Sequence, residues 1–248
     1  MQIMRYLASD SAKTDSLDRL PGLCHTRFRA SFFSIHEDSI VSRIVLASAS
    51  PRRAELLSQL GLDYVVIVPN LDESVHKAES AREFVSRMAR EKAGIIAGLA
   101  AAGDVIVGAD TIVVIEGDIL GKPRDKDDAI GMLQRLSGKS HQVMTSVTVR
   151  QKSRIETQLV ETIVRFRALT LDECDRYWLS GEPKDKAGAY GIQGLGAIFV
   201  ENIEGSYSNV VGLPLAETAS LLLKFGVQCL PPKHKEELIL DQDVVQHG

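Results

Sequence analysis

Ile44-Val45-Leu46-Ala47-Ser48-Ala49-Ser50-Pro51-Arg52-Arg53 opens as an apolar run suited to a short buried strand and turns directly into a helix start. Ser50 takes the N-cap position, Pro51 the first helical residue, and Ala54 to Leu60 an amphipathic helix closed by Gly61. Arg52 and Arg53 then fall in the first turn, where the positive end of the helix dipole repels them. A pair of residues that opposes its local field is usually serving a ligand. Backbone N–H groups, the hydroxyls of Ser48 and Ser50 and two guanidinium forks converge at this turn, which is the construction of a phosphate site. The alternative is a surface helix with solvated arginines.

Outward from this turn the pattern is α/β. A strand is expected over Tyr64-Val65-Val66-Ile67-Val68, then a long helix from about Ala81 to Ala101. Asp104-Val105-Ile106-Val107-Gly108-Ala109-Asp110 reads as a buried strand ending in a carboxylate, extended by Ile112 to Ile115 toward a turn at Glu116-Gly117-Asp118. Asp125 caps a helix to about Leu136. Gln142 to Val149 and Arg154 to Phe166 are expected as antiparallel strands, which makes the sheet mixed. Thr170 opens a helix through Trp178, Gly205-Ser206-Tyr207-Ser208-Asn209 reads as a polar turn, and Leu213 to Phe225 is the last helix. The fold class is therefore α/β, a mixed central sheet flanked by helices.

The domain spans 44–226. Residues 1–43 are polar and irregular and read as an appended extension, and 227–248 as a flexible tail. A start assigned too far upstream would account for the extension; Asp10, Asp15, Asp18, Glu37 and Asp38 argue against a mitochondrial transit peptide. No apolar run is long enough to span a membrane, so a cytoplasmic location is expected. Cys24, Cys174 and Cys229 form neither a disulfide framework nor a zinc pattern. A net charge of -4 argues against a nucleic-acid surface, so an anionic ligand must be met by local positive charge.

Further chemistry is carried by acids and lysines. Asp110, in Gly108-Ala109-Asp110-Thr111, stands at the end of a buried strand, where it either caps a turn or binds a metal and takes a proton from water. Asp72-Glu73 supplies acid in a similar place, and such oxygen ligands suit Mg²⁺ or Mn²⁺ when substrate phosphates complete the shell. Lys92, Lys122 in Leu120-Gly121-Lys122-Pro123, and Lys186 are either solvated or convergent, which spacing alone does not decide. Gly188, Gly191, Gly194 and Gly196 imply a loop that passes close to another backbone or a ligand. Ser137-Gly138-Lys139-Ser140 is no P-loop, because the required first glycine would fall at Leu133 and the segment follows a helix.

Taken in order, Ser48 to Arg53, Asp72-Glu73, Lys92, Gly108 to Thr111, Gly121-Lys122-Pro123, Asp185 to Gly194, Gly205-Ser206-Tyr207 and Val210 to Pro214 resemble the motif series of the Maf family of nucleotide pyrophosphatases. Within it the chain is most similar to the branch that hydrolyses dTTP and UTP, rather than the branch preferring N7-methyl-GTP, on the strength of Gly191-Ile192-Gln193-Gly194 and Arg52-Arg53. The resemblance implies two lobes around a cleft, as in folds of the inosine triphosphatase kind, a divalent metal, and often a homodimer. It implies Asp110 as proton acceptor, and Arg52, Thr111 and Gln193 as positions that tune substrate choice. Glu73, Lys92 and Lys122 match the remaining catalytic and phosphate-contacting positions. Ser48, Ser50, Arg53 and Lys186 complete the expected substrate site, with Glu73 and Asp110 holding the metal. The expected reaction cuts a nucleoside triphosphate into monophosphate and pyrophosphate. The alternative is a non-catalytic nucleotide-binding regulator of cell division or septum formation.

Overall fold

The computed structural model describes residues 43–230; the expectations for 1–42 and 231–248 lie outside the described residues. Strands β1 (Ile44–Ala47), β2 (Tyr64–Val66), β3 (Val105–Ile115), β4 (Asp118–Leu120), β5 (Ser140–Gln151), β6 (Arg154–Phe166) and β7 (Val200–Glu204) form one seven-stranded sheet. Its order is β2-β1-β3-β5-β6-β7, with β4 paired to β3. β1 runs parallel to β2 and β3, whereas β3, β5, β6 and β7 follow one another antiparallel, so the sheet is mixed as expected.

The long strand β3 belongs to both halves. Along one edge it pairs with β5 from Ile106 to Val114 without interruption. Along the other edge β1 covers Val105 to Gly108 and β4 covers Val113 to Ile115. Between those two partners, Ala109 to Ile112 have an open edge, because β1 leaves the sheet at Ser48 to enter the first helix. That gap is where the sheet parts and a cleft begins.

Among the described residues, six α-helices cover the sheet. α1 (Pro51–Ser58), α3 (Lys126–Leu136), α4 (Leu171–Leu179), α5 (Tyr207–Val211) and α6 (Leu215–Lys224) lie on one face and α2 (Ala81–Ala97) on the other. Alternation along the strands sorts the core accordingly. Leu46, Val107 and Val113 pack with Leu57, Leu133 and Leu222, whereas Val45, Ile106 and Ile112 face Phe84, Val85, Met88, Ala93 and Ile96 of α2. Ser80 and Glu83 form a reciprocal cap at the start of α2, as Thr170 and Glu173 do for α4.

Gly108 sets how closely α2 lies on β3. A Cβ there would stand 2.5 Å from the Ala89 carbonyl oxygen and 2.8 Å from the Ala93 nitrogen, so only glycine admits this approach. One residue pair further along, the same helix presents Lys92 to Asp110.

Several elements depart from the sequence expectations. Ser50 occupies the N-cap of α1 but makes no side-chain cap; its amide donates instead to the Ser48 hydroxyl at 3.1 Å. The second strand stops at Val66 and α2 at Ala97, while Glu116 and Gly117, both with positive φ, form a tight hairpin turn into the unexpected β4. Residues 182–199 wind through three short 3₁₀ turns before β7. Of the segment read as a polar turn at 205–209, Gly205 and Ser206 do turn the chain, but from Tyr207 it is α5, capped by Ser206 and carrying a fully buried Asn209. Val227 and Cys229 pack against the core, so the first residues of the expected loose tail are folded.

Candidate active site

The cleft is a cavity of about 770 Å³, within the range of small-molecule sites. Ser48, Ser50, Arg52, Arg53, Glu73, Lys92, Asp110, Thr111, Lys122, Lys186 and Gln193 all line it, whereas Asp72 does not. They arrive from seven separate places in the chain, so the convergence that spacing could not decide is now geometric.

Period-two alternation sends Asp110 and Thr111 to opposite faces of the sheet, and the open edge of β3 lets both reach the cleft. On the α2 face, Lys92 Nζ lies 2.6 Å from Asp110 Oδ1 and 2.7 Å from Glu73 Oε1. Lys92 is 7% exposed and Asp110 8%, while Glu73 is half exposed on the loop before α2. Burying one ammonium is tolerable because two carboxylates meet it. For Glu73, burial pushes the carboxyl up, but the Lys92 hydrogen bond and the charges of Lys92, Lys122 and Arg53 outweigh it and hold the group below the ordinary value. Its neighbour Asp72 is spent on a local turn, accepting from the Ser74 amide and hydroxyl at 3.0 Å each.

On the other face, Arg53 is fixed by three acceptors. Nε donates to the Gly212 carbonyl at 2.8 Å, one terminal nitrogen to Thr111 Oγ1 at 3.0 Å and the other to Ser48 Oγ at 3.3 Å. Burial pulls the guanidinium below its usual pKa, and the charges of Asp110 and Glu73 push back against that. Thr111 Oγ1 lies 2.9 Å from Thr145 Oγ1, which donates to the Asn209 carbonyl at 2.9 Å. Since that proton of Thr145 is committed, the Thr111 hydroxyl is the donor between them. Thr111 therefore spends its proton inward and orients Arg53, leaving it only acceptor capacity toward a ligand.

Arg52 points the other way, to Asp185 at 3.2 Å, and Lys186 Nζ lies 2.8 Å from the same carboxylate. Burial raises the Asp185 carboxyl, and Lys186 with Arg52 lower it further than that. Asp185 and Gly212 fall in motif stretches quoted from the sequence but are given no role in the site there, and Thr145 carries no local signal. Lys122 is exposed at the cavity rim. Val68, Val75, Phe84 and Ile119 give the cavity an apolar stretch.

Among the described residues no group of three or more His, Cys, Asp or Glu could hold a metal. Asp110 and Glu73 converge on the Lys92 ammonium; they are the hard oxygen donors that Mg²⁺ or Mn²⁺ takes alongside water and phosphate oxygens. No described helix is long and apolar enough to cross a membrane. The Ser137 to Ser140 segment lies elsewhere: Ser137 Oγ accepts from the Leu169 amide and Lys139 pairs with Glu116.

Comparison with known proteins agrees in extent. The family model described as Maf-like protein matches residues 43–225. A dTTP/UTP pyrophosphatase of Hahella chejuensis is 52% identical over 190 residues, covering 75% of this chain and 94% of that protein. Its namesake in Vibrio cholerae is 54% identical over 185 residues, 75% of this chain and 99% of its own, and that of Anaeromyxobacter 54% over 189 residues, 74% and 90%. Among solved structures, the Staphylococcus aureus Ham1 protein is a slight likeness, with a TM-score of 0.35 and 15% identity over 50% of this chain and 70% of that one. A family match over the whole described sheet, with relatives more than half identical and aligned along nearly their full length, makes this chain a member of the Maf family.

Proposed function

We propose that the chain hydrolyses dTTP and UTP to the nucleoside monophosphate and pyrophosphate. The observation that carries this reading is the meeting of Lys92 with Asp110 and Glu73 in the same cavity that Arg53 lines. A cationic strand-to-helix turn and a carboxylate pair, Asp110 buried and Glu73 half exposed, line one cavity of about 770 Å³.

In this mechanism Arg52, Arg53, Lys92 and Lys122 hold the phosphate chain, and their charge stabilises what accumulates on the leaving group. Arg52 and Lys186 exchange Asp185 for phosphate oxygens. Asp110 Oδ1 is engaged by Lys92, so its second oxygen takes the proton of a water that attacks the α-phosphorus. A new P–O bond forms, the bond to the bridging oxygen breaks, and its electron pair departs with pyrophosphate. Glu73 and Asp110 would hold a divalent ion, which when bound would neutralise phosphate charge. The Gln193 amide, which both donates and accepts, meets the pyrimidine. Residues 44–226 form the catalytic unit under this reading, and its setting is the cytoplasm.

Purified protein incubated with each common nucleotide and Mg²⁺ tests the proposal by product identification. Pyrophosphate and monophosphate from dTTP and UTP support it. Nucleotide recovered intact but bound would favour the non-catalytic regulator, and orthophosphate would indicate a different reaction.

A further inference from the structure

Gln193 sits on an exposed stretch of loop, yet the loop has an anchor outside the cavity. Neither Glu182 nor Tyr177 lines the cleft. The Glu182 carboxylate accepts from the Leu195 amide at 2.7 Å, the Gly196 amide at 3.1 Å and the Tyr177 hydroxyl at 2.7 Å. Tyr177 in turn accepts from the Gly191 amide at 3.0 Å, so the two side chains hold the backbone on both sides of Gln193. The Glu182 carbonyl accepts from Lys186 Nζ at 2.6 Å, which fixes a second cleft residue. A Cβ on Gly194 would fall 2.6 Å from the Glu182 carboxyl carbon, and one on Gly191 2.6 Å from Lys186 Cε, so the glycines are where the anchor touches the loop.

We propose that Glu182 is a positioning residue for base selection, its carboxylate holding the Gly191 to Gly196 loop so that the Gln193 amide is presented to the nucleobase in one fixed orientation. The inference rests on reading the cleft as a pyrimidine triphosphate site. The allocation of oxygens makes it sharp: Oε1 receives Tyr177 and Gly196, and Oε2 receives Leu195. An amide in place of the carboxylate must turn its NH₂ toward one of those donors, and at least one hydrogen bond is lost whichever way it turns. Burial raises the Glu182 carboxyl, and the hydrogen bonds from Tyr177, Gly196 and Leu195 more than reverse it, consistent with an ionised anchor.

Glu182→Gln and Tyr177→Phe test this in the full chain, with dTTP, UTP and dCTP as substrates and Mg²⁺ present. Glu182→Gln is expected to lower kcat/KM for dTTP and UTP about tenfold relative to dCTP, mostly through KM, while kcat at saturation changes by no more than about threefold. Tyr177→Phe should move the same ratio in the same direction by less. Amide exchange over residues 191–199, read by mass spectrometry without nucleotide, should quicken in both variants. An unchanged nucleotide preference in folded Glu182→Gln overturns the inference; if that variant does not fold, Tyr177→Phe decides on the same criterion. Should the wild-type chain release no pyrophosphate, the functional reading fails, and the anchor is then judged by exchange alone, with unaltered rates counting against it.

Discussion

Arg53 and Gly212 stand 159 residues apart in the chain and meet through a 2.8 Å hydrogen bond from Nε to the carbonyl oxygen. The cation that opposes the carboxylate pair is therefore aimed by the end of α5, not by its own helix. Its first-turn position is unfavourable by the local field, and α1 has no acidic residue in that turn to relieve it. Stability has been exchanged for an oriented guanidinium facing the cleft.

Removing the proposed base should separate chemistry from binding. Asp110→Asn is expected to lower kcat by about 10²–10⁴, the usual contribution of a positioned general base. Nucleotide affinity by calorimetry should stay within reach of wild type. Turnover close to normal would take Asp110 out of that role.

Selection of the base should be separable from both. Gln193→Ala should erode the preference for dTTP and UTP over dCTP by about tenfold, the scale of a lost hydrogen bond to a ligand, with kcat on the best substrate little altered. Steady-state kinetics on the three nucleotides checks this, and an intact preference would remove Gln193 from recognition.

Gly108 offers a test at a distance from any ligand. Gly108→Ala forces a methyl to within 2.5 Å of the Ala89 carbonyl oxygen, so α2 must shift off β3. Overpacking of this kind costs about 1–3 kcal/mol, measurable as a lower urea midpoint. Because Lys92 rides on α2, activity should fall further than the population of folded protein does.

The buried hydroxyl relay behind Arg53 should behave as one unit. Thr145→Val leaves the Asn209 carbonyl without its side-chain donor and Thr111 without its acceptor. A cost of about 1–3 kcal/mol in stability is expected for groups left unsatisfied, together with a raised KM as Arg53 loses its alignment. A variant with wild-type melting temperature and KM would show the relay to be idle.

Acid should weaken the fold through His141. Its ring is buried against Phe166 and Tyr190, with Nε2 2.9 Å from the Tyr190 hydroxyl. Burial pushes its pKa down to about 4 from 6.5. Below 6.5 the unfolded chain takes up a proton that the folded chain refuses, so stability is fully present above 6.5 and declines as pH falls toward 4. The decline from this group approaches about 3 kcal/mol. Urea melts across that interval should show a shallower slope in His141→Phe than in wild type.

What could be read from the residues was whatever is decided locally. Ser50-Pro51, Asp125 and Thr170 mark helix starts within a few residues of themselves, and the apolar runs of β1 and β3 and the β-rich runs of β5 and β6 declare strands without help. α5 was illegible because its polar sequence becomes helix only through distant partners: the Asn209 side chain donates to the Val143 carbonyl and the Thr162 hydroxyl, 66 and 47 residues away. β7 and the 3₁₀ turns before it have no period to announce them. In the site, residue types identified the phosphate-binding turn and the acids, but not that Asp72 would close a turn while Glu73 faced Lys92. Nor could spacing reveal that Asp185 sits between Arg52 and Lys186.

The uninterrupted pairing of β3 with β5 has a consequence for how such a protein can change. The strand that bears Asp110 is welded along its back, so breathing of the site cannot come from the floor. The irregular rims are the connection between β2 and α2 and the glycine-bearing stretch before β7. Insertions or exchanges there can redirect which nucleotide is admitted while the hydrolytic floor stays still.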